Sequence, residues 1–281
     1  MQLNKKKSST NITCIRKCSI CDSTKITYKF TIDNRHIVKC IKCGFVFVNE
    51  YDQVKLDKAY KENYYRSADD PNIEKWLVKN NAVWVGLTNF VLKFATIKIS
   101  SILDIGSGCG GFLLNFHNRY SNAKLYAIEQ SQEAKEFLNN KNKNITFIGD
   151  ITEAQSKYKE KFDAITLFQV LEHFFDPKEK CKEIYSLLKP NGILYLTVPN
   201  IHSYLVLFKK ANDGYCFSNL THLSFFSSKD IKRLLTDCGF TEVKRIKMFG
   251  ASNIKGYKKI TQWLLRIIGI STELRFIAYK K

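Results

Sequence analysis

The sequence predicts a doubly wound α/β fold, a mostly parallel sheet with helices on both faces, with a small cysteine-rich module ahead of it. Three observations predict this. Apolar strand-like runs alternate with helix-like runs from about residue 100 to residue 200, the pattern of parallel strands joined by crossover helices. The first strand runs into a glycine turn, Gly106-Ser-Gly-Cys-Gly-Gly111, that opens a helix. Two Cys-x-x-Cys pairs, Cys18/Cys21 and Cys40/Cys43, precede it with 18 residues between them.

Taken in order, residues 1–13 are polar and basic and read as disordered. Residues 14–50 hold the cysteine pairs among short β-like runs such as Lys25–Thr31 and Phe45–Val48. Residues 51–97 form a tyrosine-rich connector and then a helix over 74–97, with Trp76, Val83, Trp84, Leu87, Phe90 and Phe94 on a broad apolar face. From residue 98 to residue 281 the α/β pattern runs on. Strands are expected at Ser100–Ile105, Lys124–Ile128, Ile145–Ile148, Phe162–Phe168 and Ile193–Val198. Helices are expected at Gly111–Arg119, Gln132–Asn139 and Pro177–Leu188, with Lys189-Pro190 stopping the last and Asn191-Gly192 turning into the next strand. A helix over Ser228–Cys238 ends at Gly239; a strand Thr241–Met248, a helix Lys258–Ile268 and a strand Glu273–Tyr279 follow.

Composition narrows the class. The chain has 281 residues, enough for one large domain and a small accessory one. No apolar run approaches the roughly 20 residues of a membrane span, and no apolar segment follows the basic start, so a cytoplasmic protein is expected. The net charge is +19. Lysine is spread along the chain without an arginine-rich stripe or interleaved aromatics, so the charge reads as a solvated surface more than a nucleic-acid footprint. Nine cysteines in a chain without a secretion signal argue against a disulfide framework.

The glycine turn alone admits two ligands. Gly106, Gly108 and Gly111 satisfy the dinucleotide spacing, and Glu129 lies where a ribose-binding acid belongs, so a nicotinamide enzyme competes here. Asp104 favours something else. An acid two residues before the first glycine repels a pyrophosphate but suits an ammonium. Asp150 ends the third strand, so acids close three consecutive strands. That set suits a ligand with an ammonium, a ribose diol and an adenine amine, and no phosphates. The competing reading of Asp150 is a turn cap, and of Glu129 a solvated strand-end acid.

Further residues complete a pattern: Phe162-Asp-Ala-Ile-Thr-Leu-Phe-Gln-Val-Leu-Glu-His-Phe-Phe-Asp-Pro177, then Leu187-Leu-Lys-Pro-Asn-Gly-Ile-Leu-Tyr-Leu-Thr-Val-Pro199, and later His222-Leu-Ser-Phe-Phe-Ser227 and Cys238-Gly-Phe240. With the glycine turn, these make residues 100–240 resemble the class I S-adenosylmethionine methyltransferases, on the branch of the ubiquinone-pathway O-methyltransferases and sugar methyltransferases. The resemblance implies a seven-stranded sheet with an antiparallel last strand. It implies that Asp104 and Gly106 hold the methionine end, that Gly108 is also cofactor-binding, and that Glu129 binds the ribose hydroxyls. Asp150 with Ile151 would meet the adenine, and Phe168 and Gln169 would line the methionine pocket.

A sulfonium methyl is already activated, so the protein aligns the acceptor and excludes water. An oxygen acceptor also loses a proton, and histidine suits that near neutral pH. His173, after the fourth strand, is the candidate base; its alternative is an ordering role. His202 and His222 lie in segments that cover the acceptor pocket in the family. With Gln169 where related enzymes offer a carboxylate, no catalytic Mg²⁺ is expected.

Cys18, Cys21, Cys40 and Cys43 can give a tetrahedral Zn²⁺ four thiolates with no open position, hence a structural site. A zinc ribbon before this domain resembles bacterial enzymes of surface-polysaccharide and natural-product sugars. The expected partner is a small-molecule acceptor, best a sugar or nucleotide-linked sugar. The alternative is RNA docked through the ribbon. More remote are a cofactor-binding module without catalysis and a nicotinamide oxidoreductase. The apolar face of 258–268 could touch an anionic membrane surface, or simply pack between the last strands.

Overall fold

The computed structural model describes residues 12–14, 17–52, 72–209, 216–247, 264–265 and 267–281. The N-terminal lobe contains β1 (Ile12–Cys14), β2 (Ile26–Ile32), β3 (Arg35–Cys40), β4 (Val46–Val48) and β5 (Glu50–Asp52). Strands β2, β3 and β4 form an antiparallel meander. β1 pairs antiparallel with β5, so Ile12 and Thr13, expected in a disordered lead, are in a strand.

Two helices replace the single one expected over 74–97: α1 (Ile73–Lys79) and α2 (Asn81–Phe94). Asn80 causes the break. Its backbone N–H and its side-chain amide both turn back to the Trp76 carbonyl, ending α1. The Trp76 and Trp84 rings, 5.4 Å apart, close the corner.

The α/β region follows with β6 (Ser101–Ile105), α3 (Gly111–Arg119), β7 (Lys124–Ile128), α4 (Gln132–Lys141), β8 (Ile145–Ile148), α5 (Ile151–Lys157) and β9 (Phe162–Phe168). A 3₁₀ turn, Leu171–His173, leads to α6 (Pro177–Leu187), β10 (Leu188–Pro199) and α7 (Tyr204–Lys209). Then come β11 (Ser224–Phe225), α8 (Ser228–Asp237), β12 (Thr241–Arg245) and β13 (Glu273–Tyr279). β10 starts five residues before the expected Ile193, directly after α6; its register with β9 shifts between Leu188 and Ile193, where the Asn191-Gly192 turn is absorbed. The expected helix 258–268 lies largely outside the described residues.

The main sheet has seven strands in the order β12-β13-β10-β9-β6-β7-β8. β10, β9, β6, β7 and β8 are mutually parallel, and β13 is antiparallel to β10. The chain winds from β6 outward through β7 to β8, then returns to the other side of β6 with β9. That reversal opens a crevice beyond the carboxyl ends of β6 and β9, where doubly wound sheets bind ligands.

All five residues of β6 are buried, as in a strand covered on both faces. Its side chains alternate between two cores. Ile102 joins Phe90, Phe112 and Phe116 under α2 and α3. Leu103 and Ile105 join Phe162, Ile184 and Leu234 under α6 and α8. This second core continues into the N-terminal lobe through Ile20, Phe45 and Phe47, and Phe45 lies 5.4 Å from the Phe226 ring. The lobe sheet takes its fourth strand from β11, which pairs with β4. The cysteine-rich lobe is thus completed by residues 224–225, far from the expected 14–50. Among the described residues no helix is long and apolar enough to cross a membrane.

Candidate active site

The glycine turn is shaped by backbone that a side chain would spoil. Gly106 has φ +71°, and a Cβ there would lie 2.5 Å from Val170 Cγ2, beyond the end of β9. The amides of Gly106 and Ser107 both donate to the Ile128 carbonyl, holding the turn across the end of β7. Gly111 starts α3 under the Trp84 ring, which a Cβ would approach to 2.4 Å.

The three acids stand at the ends of β6, β7 and β8, in different states. Asp104 is 3% exposed, and Thr166 Oγ1 on the neighbouring β9 donates to it at 2.6 Å. Burial, reinforced by the charge of Glu129 and opposed by Thr166, pushes its pKa up from 3.8 to about 7. Glu129 is also buried, and its two oxygens accept from the backbone N–H groups of Gly108 and Ser131, both at 2.7 Å. It therefore fixes the glycine turn and the start of α4. Asp150 is exposed and caps α5, accepting from Glu153 N at 2.7 Å, with Ile151 buried behind it.

Phe168 packs edge-on against Phe112, 5.0 Å between centroids, beside the turn. Gln169 sits in left-handed backbone at φ +61°. Its amide donates to Thr197 Oγ1 and Glu273 Oε2, tying β9 to β10 and β13.

The three candidate histidines separate into a pair and an outlier. His173 and His222 meet with ring centroids 4.9 Å apart. His173 Nδ1 faces the Thr221 carbonyl at 3.0 Å, and His222 Nδ1 faces that of Cys216 at 2.9 Å. His202 is exposed on the turn before α7, where its backbone N–H bonds Asn200 Oδ1. Burial lowers the pKa of His173 to about 4, against the opposing carbonyls of Thr221 and Gln169. Burial and then the neighbouring His173 lower that of His222 to about 3. Both are neutral imidazoles at physiological pH.

Sequence reasoning did not single out Glu172 as a site residue. Its side chain is fully buried, and neither carboxylate oxygen has a hydrogen-bond partner among the described residues. Oε1 lies 3.9 Å from His222 Nε2. Burial pushes its pKa from 4.5 to about 8. Glu172, His173 and His222 each bring one donor atom within 4.8 Å of the others. With a single carboxylate, and each histidine's Nδ1 already facing a carbonyl, this buried titratable cluster is a poor cage for a hard cation. Val170 against Gly106 and Thr221 against His173 were also not expected. Their positions follow from strand ends and a loop that only the folded sheet brings together.

The four lobe cysteines converge with all sulfurs within 4.8 Å of one another. Cys18 and Cys43 are 3.6 Å apart, and Cys21 and Cys40 3.5 Å. Those spacings are far beyond the roughly 2.05 Å of a disulfide. They are close to the edge of a tetrahedron with metal–sulfur bonds of about 2.3 Å. Backbone N–H groups of Ile20 and Cys21 are directed at the Cys18 sulfur, and those of Lys42 and Cys43 at the Cys40 sulfur. Donors so placed favour the thiolate: at Cys40 they outweigh burial and hold the pKa at about 7, while at Cys18 burial prevails and pushes the thiol up. Gly44, at φ +87° after Cys43, and Asp22, at φ +56° after Cys21, let the two knuckle turns close.

Comparison with known proteins fits this geometry. The methyltransferase domain family matches residues 79–244. A protein of Coxiella burnetii named ubiquinone biosynthesis O-methyltransferase is 30% identical over 129 residues, 44% of this chain and 54% of its own. A protein of the same name from Xanthomonas campestris is 28% identical over 158 residues, 54% of this chain and 63% of its own. The chain thus spans between half and two thirds of the length of these curated relatives. Among solved structures, a SAM-dependent methyltransferase from Archaeoglobus fulgidus superposes with TM-score 0.54 at 18% identity, covering 73% of this chain and 99% of that one. The plantazolicin methyltransferase BpumL, in complex with SAH, gives TM-score 0.52 at 18% identity, covering 82% and 99%. At such identities the likeness is one of fold.

Proposed function

The chain belongs to the methyltransferase domain family, and from that premise we propose that it transfers a methyl group from S-adenosylmethionine to a hydroxyl of a small molecule. The observation that carries this is Asp104. It is a buried carboxyl at the switch point of the sheet, beside a glycine turn, with a hydroxyl as its partner among the described residues. Such a group awaits a cation, and the ligand's ammonium supplies one. A phosphate-bearing dinucleotide would meet repulsion there. Glu129 keeps Gly108 and the turn in place beside the ribose, Asp150 and Ile151 lie toward the adenine, and Phe168 and Gln169 border the methionine end.

His173 is the group to remove the acceptor's proton: it is neutral at physiological pH, and the burial that lowers its pKa to about 4 makes it a weaker base than an exposed imidazole. The relatives named as O-methyltransferases support a hydroxyl acceptor. A sugar or nucleotide-linked sugar suits the +19 surface, whose lysines would attract a phosphorylated carrier. A structural Zn²⁺ held by Cys18, Cys21, Cys40 and Cys43 would lock the lobe.

Calorimetry is the direct test: S-adenosylhomocysteine binds and NAD does not, and the reverse result refutes the proposal. Methyl-labelled cofactor offered in parallel to a nucleotide-sugar pool and to total RNA tests the acceptor. Label in the sugars is expected, and label in RNA alone would replace the small-molecule acceptor with RNA. Native mass spectrometry should find one zinc per chain, absent after Cys18→Ser; a metal-free native chain would reject the ribbon.

A further inference from the structure

We propose that Arg35 is a positioning residue through which the cysteine-rich lobe holds the acceptor-side loop 216–223, and with it His222 and His173. The inference rests on reading those histidines as the acceptor side, but its test needs no acceptor.

Arg35 starts β3, the strand that ends at Cys40, yet its side chain leaves the lobe. It is 7% exposed, and among the described residues no carboxylate lies within ion-pair distance of it, Asp33 acting on it only from farther off. Its guanidinium donates to four carbonyls of one loop instead: Nη2 to Phe217 at 2.6 Å, and Nη1 to Asn219, His222 and Leu220 at 2.9, 3.2 and 3.3 Å. A buried charge without a counter-charge is costly unless its hydrogen bonds are met. Here the loop meets those of Nη1 and Nη2 by turning its carbonyls inward around one fork of donors, while the buried Nε has no partner among the described residues. Lysine, a point charge with three donors, cannot span the same set.

The loop so gathered makes the contacts that orient the cluster. The Thr221 carbonyl faces His173 Nδ1, the Cys216 carbonyl faces His222 Nδ1, and Leu223 N donates to the Glu172 carbonyl at 2.9 Å. The lobe grips the far side of the loop as well, since Val48 N donates to the Leu223 carbonyl at 2.9 Å and β11 extends the lobe sheet. One wall of the candidate active site is therefore built on the lobe. This gives the cysteine module a task inside the enzyme, without calling on a nucleic-acid partner.

The test compares the full wild-type chain with Arg35→Lys and Arg35→Ala, using isotope-labelled histidine and amide hydrogen exchange. The His173 and His222 imidazole resonances should move, and should lose the pattern of a single tautomer, more in Arg35→Ala than in Arg35→Lys. Exchange across 216–223 should speed up at least about tenfold, the worth of one hydrogen bond to a charged group. Exchange in β6 and β9 and the His117 resonances should stay as in the wild type. If the two histidines are unmoved while the sheet stays protected, the proposal is overturned. If β6 and β9 lose protection in both variants together with the loop, Arg35 is a general support and the specific role is rejected. A wild-type chain that fails to bind S-adenosylhomocysteine would strike the proposed activity and leave these readouts standing.

Discussion

The two ends of the central strands treat a buried aspartate in opposite ways. At the leading edge, Asp163 at the start of β9 accepts from Ser100 N, Ser101 N and Ser101 Oγ, and pairs with Lys189 at 2.8 Å. Burial would raise its pKa, but Lys189 and Ser101 outweigh it and hold the carboxyl below the usual range. At the trailing edge, Asp104 has Thr166 alone against the same desolvation, and its pKa rises to about 7. One acid is satisfied by its own chain and serves the fold. The other is short of partners among the described residues, which costs stability, and the proposed function gives it a ligand's ammonium.

That contrast is sharpest in Asp104→Asn. The amide keeps the shape and can still meet Thr166, but it offers no charge to an ammonium. Truncating one side of a buried charge pair costs about 2–5 kcal/mol, so S-adenosylhomocysteine affinity should fall at least ~30-fold by calorimetry. Urea unfolding at pH 8 should show the ligand-free variant as stable as the parent, or more so. Asp163→Ala should do the reverse. It strands two backbone N–H groups and Lys189, so stability should drop by about 2–3 kcal/mol while ligand affinity stays within about twofold. Equal effects of the two changes on both measurements would abolish the distinction between the edges.

The same difference predicts a pH dependence. With its folded pKa raised from 3.8 to about 7, Asp104 is protonated in the free protein below pH 7. Its contribution to stability is then fully present below pH 3.8 and is lost as pH rises through 7. An ammonium ligand favours the carboxylate, so binding expels a proton below pH 7. Affinity should fall about tenfold per unit from pH 7 to pH 5 and level off above pH 7. Calorimetry at pH 6 in buffers of different ionisation enthalpy should count close to one proton released. A count of zero, with flat affinity, would show that Asp104 does not meet the cation.

How much of this was legible in the sequence depended on the range of the interactions. β7, β8, β9, β13 and α3 fall at their expected boundaries, because each is written in a local run of apolar residues and a turn or cap. The acids at the strand ends and the two cysteine knuckles are likewise local in spacing. The interactions that were not legible are long-range. Arg35 meets a loop more than 180 residues away, and Gln169 meets Glu273 across 104. Nothing in the neighbourhood of either residue announces its partner. Glu172 is a partial exception: an acid directly between Leu171 and His173, in a segment expected to face a pocket, is a signal for a buried carboxyl. Asn80 is another. The Asn80-Asn81 pair interrupts the apolar helix pattern, and the structure ends α1 there.

Asp150 lies between the two edges in character, and a small substitution divides its two roles. It is exposed and caps α5 through Glu153 N, which is a structural task. It also ends β8 beside the crevice, where the proposed function sets the adenine. Serine caps a helix about as well as aspartate, whereas alanine costs about 1 kcal/mol. Asp150→Ser should therefore keep the parent's stability and Asp150→Ala should lose about 1 kcal/mol in urea unfolding. If the carboxylate accepts a hydrogen bond from the ligand at this exposed position, both variants should weaken S-adenosylhomocysteine by a similar severalfold factor, about 1 kcal/mol. If Asp150 only caps, serine will bind like the parent and alanine will differ in stability alone. The serine variant thus reads the ligand without disturbing the helix, and its affinity decides whether the third acid belongs with Asp104 or with Asp163.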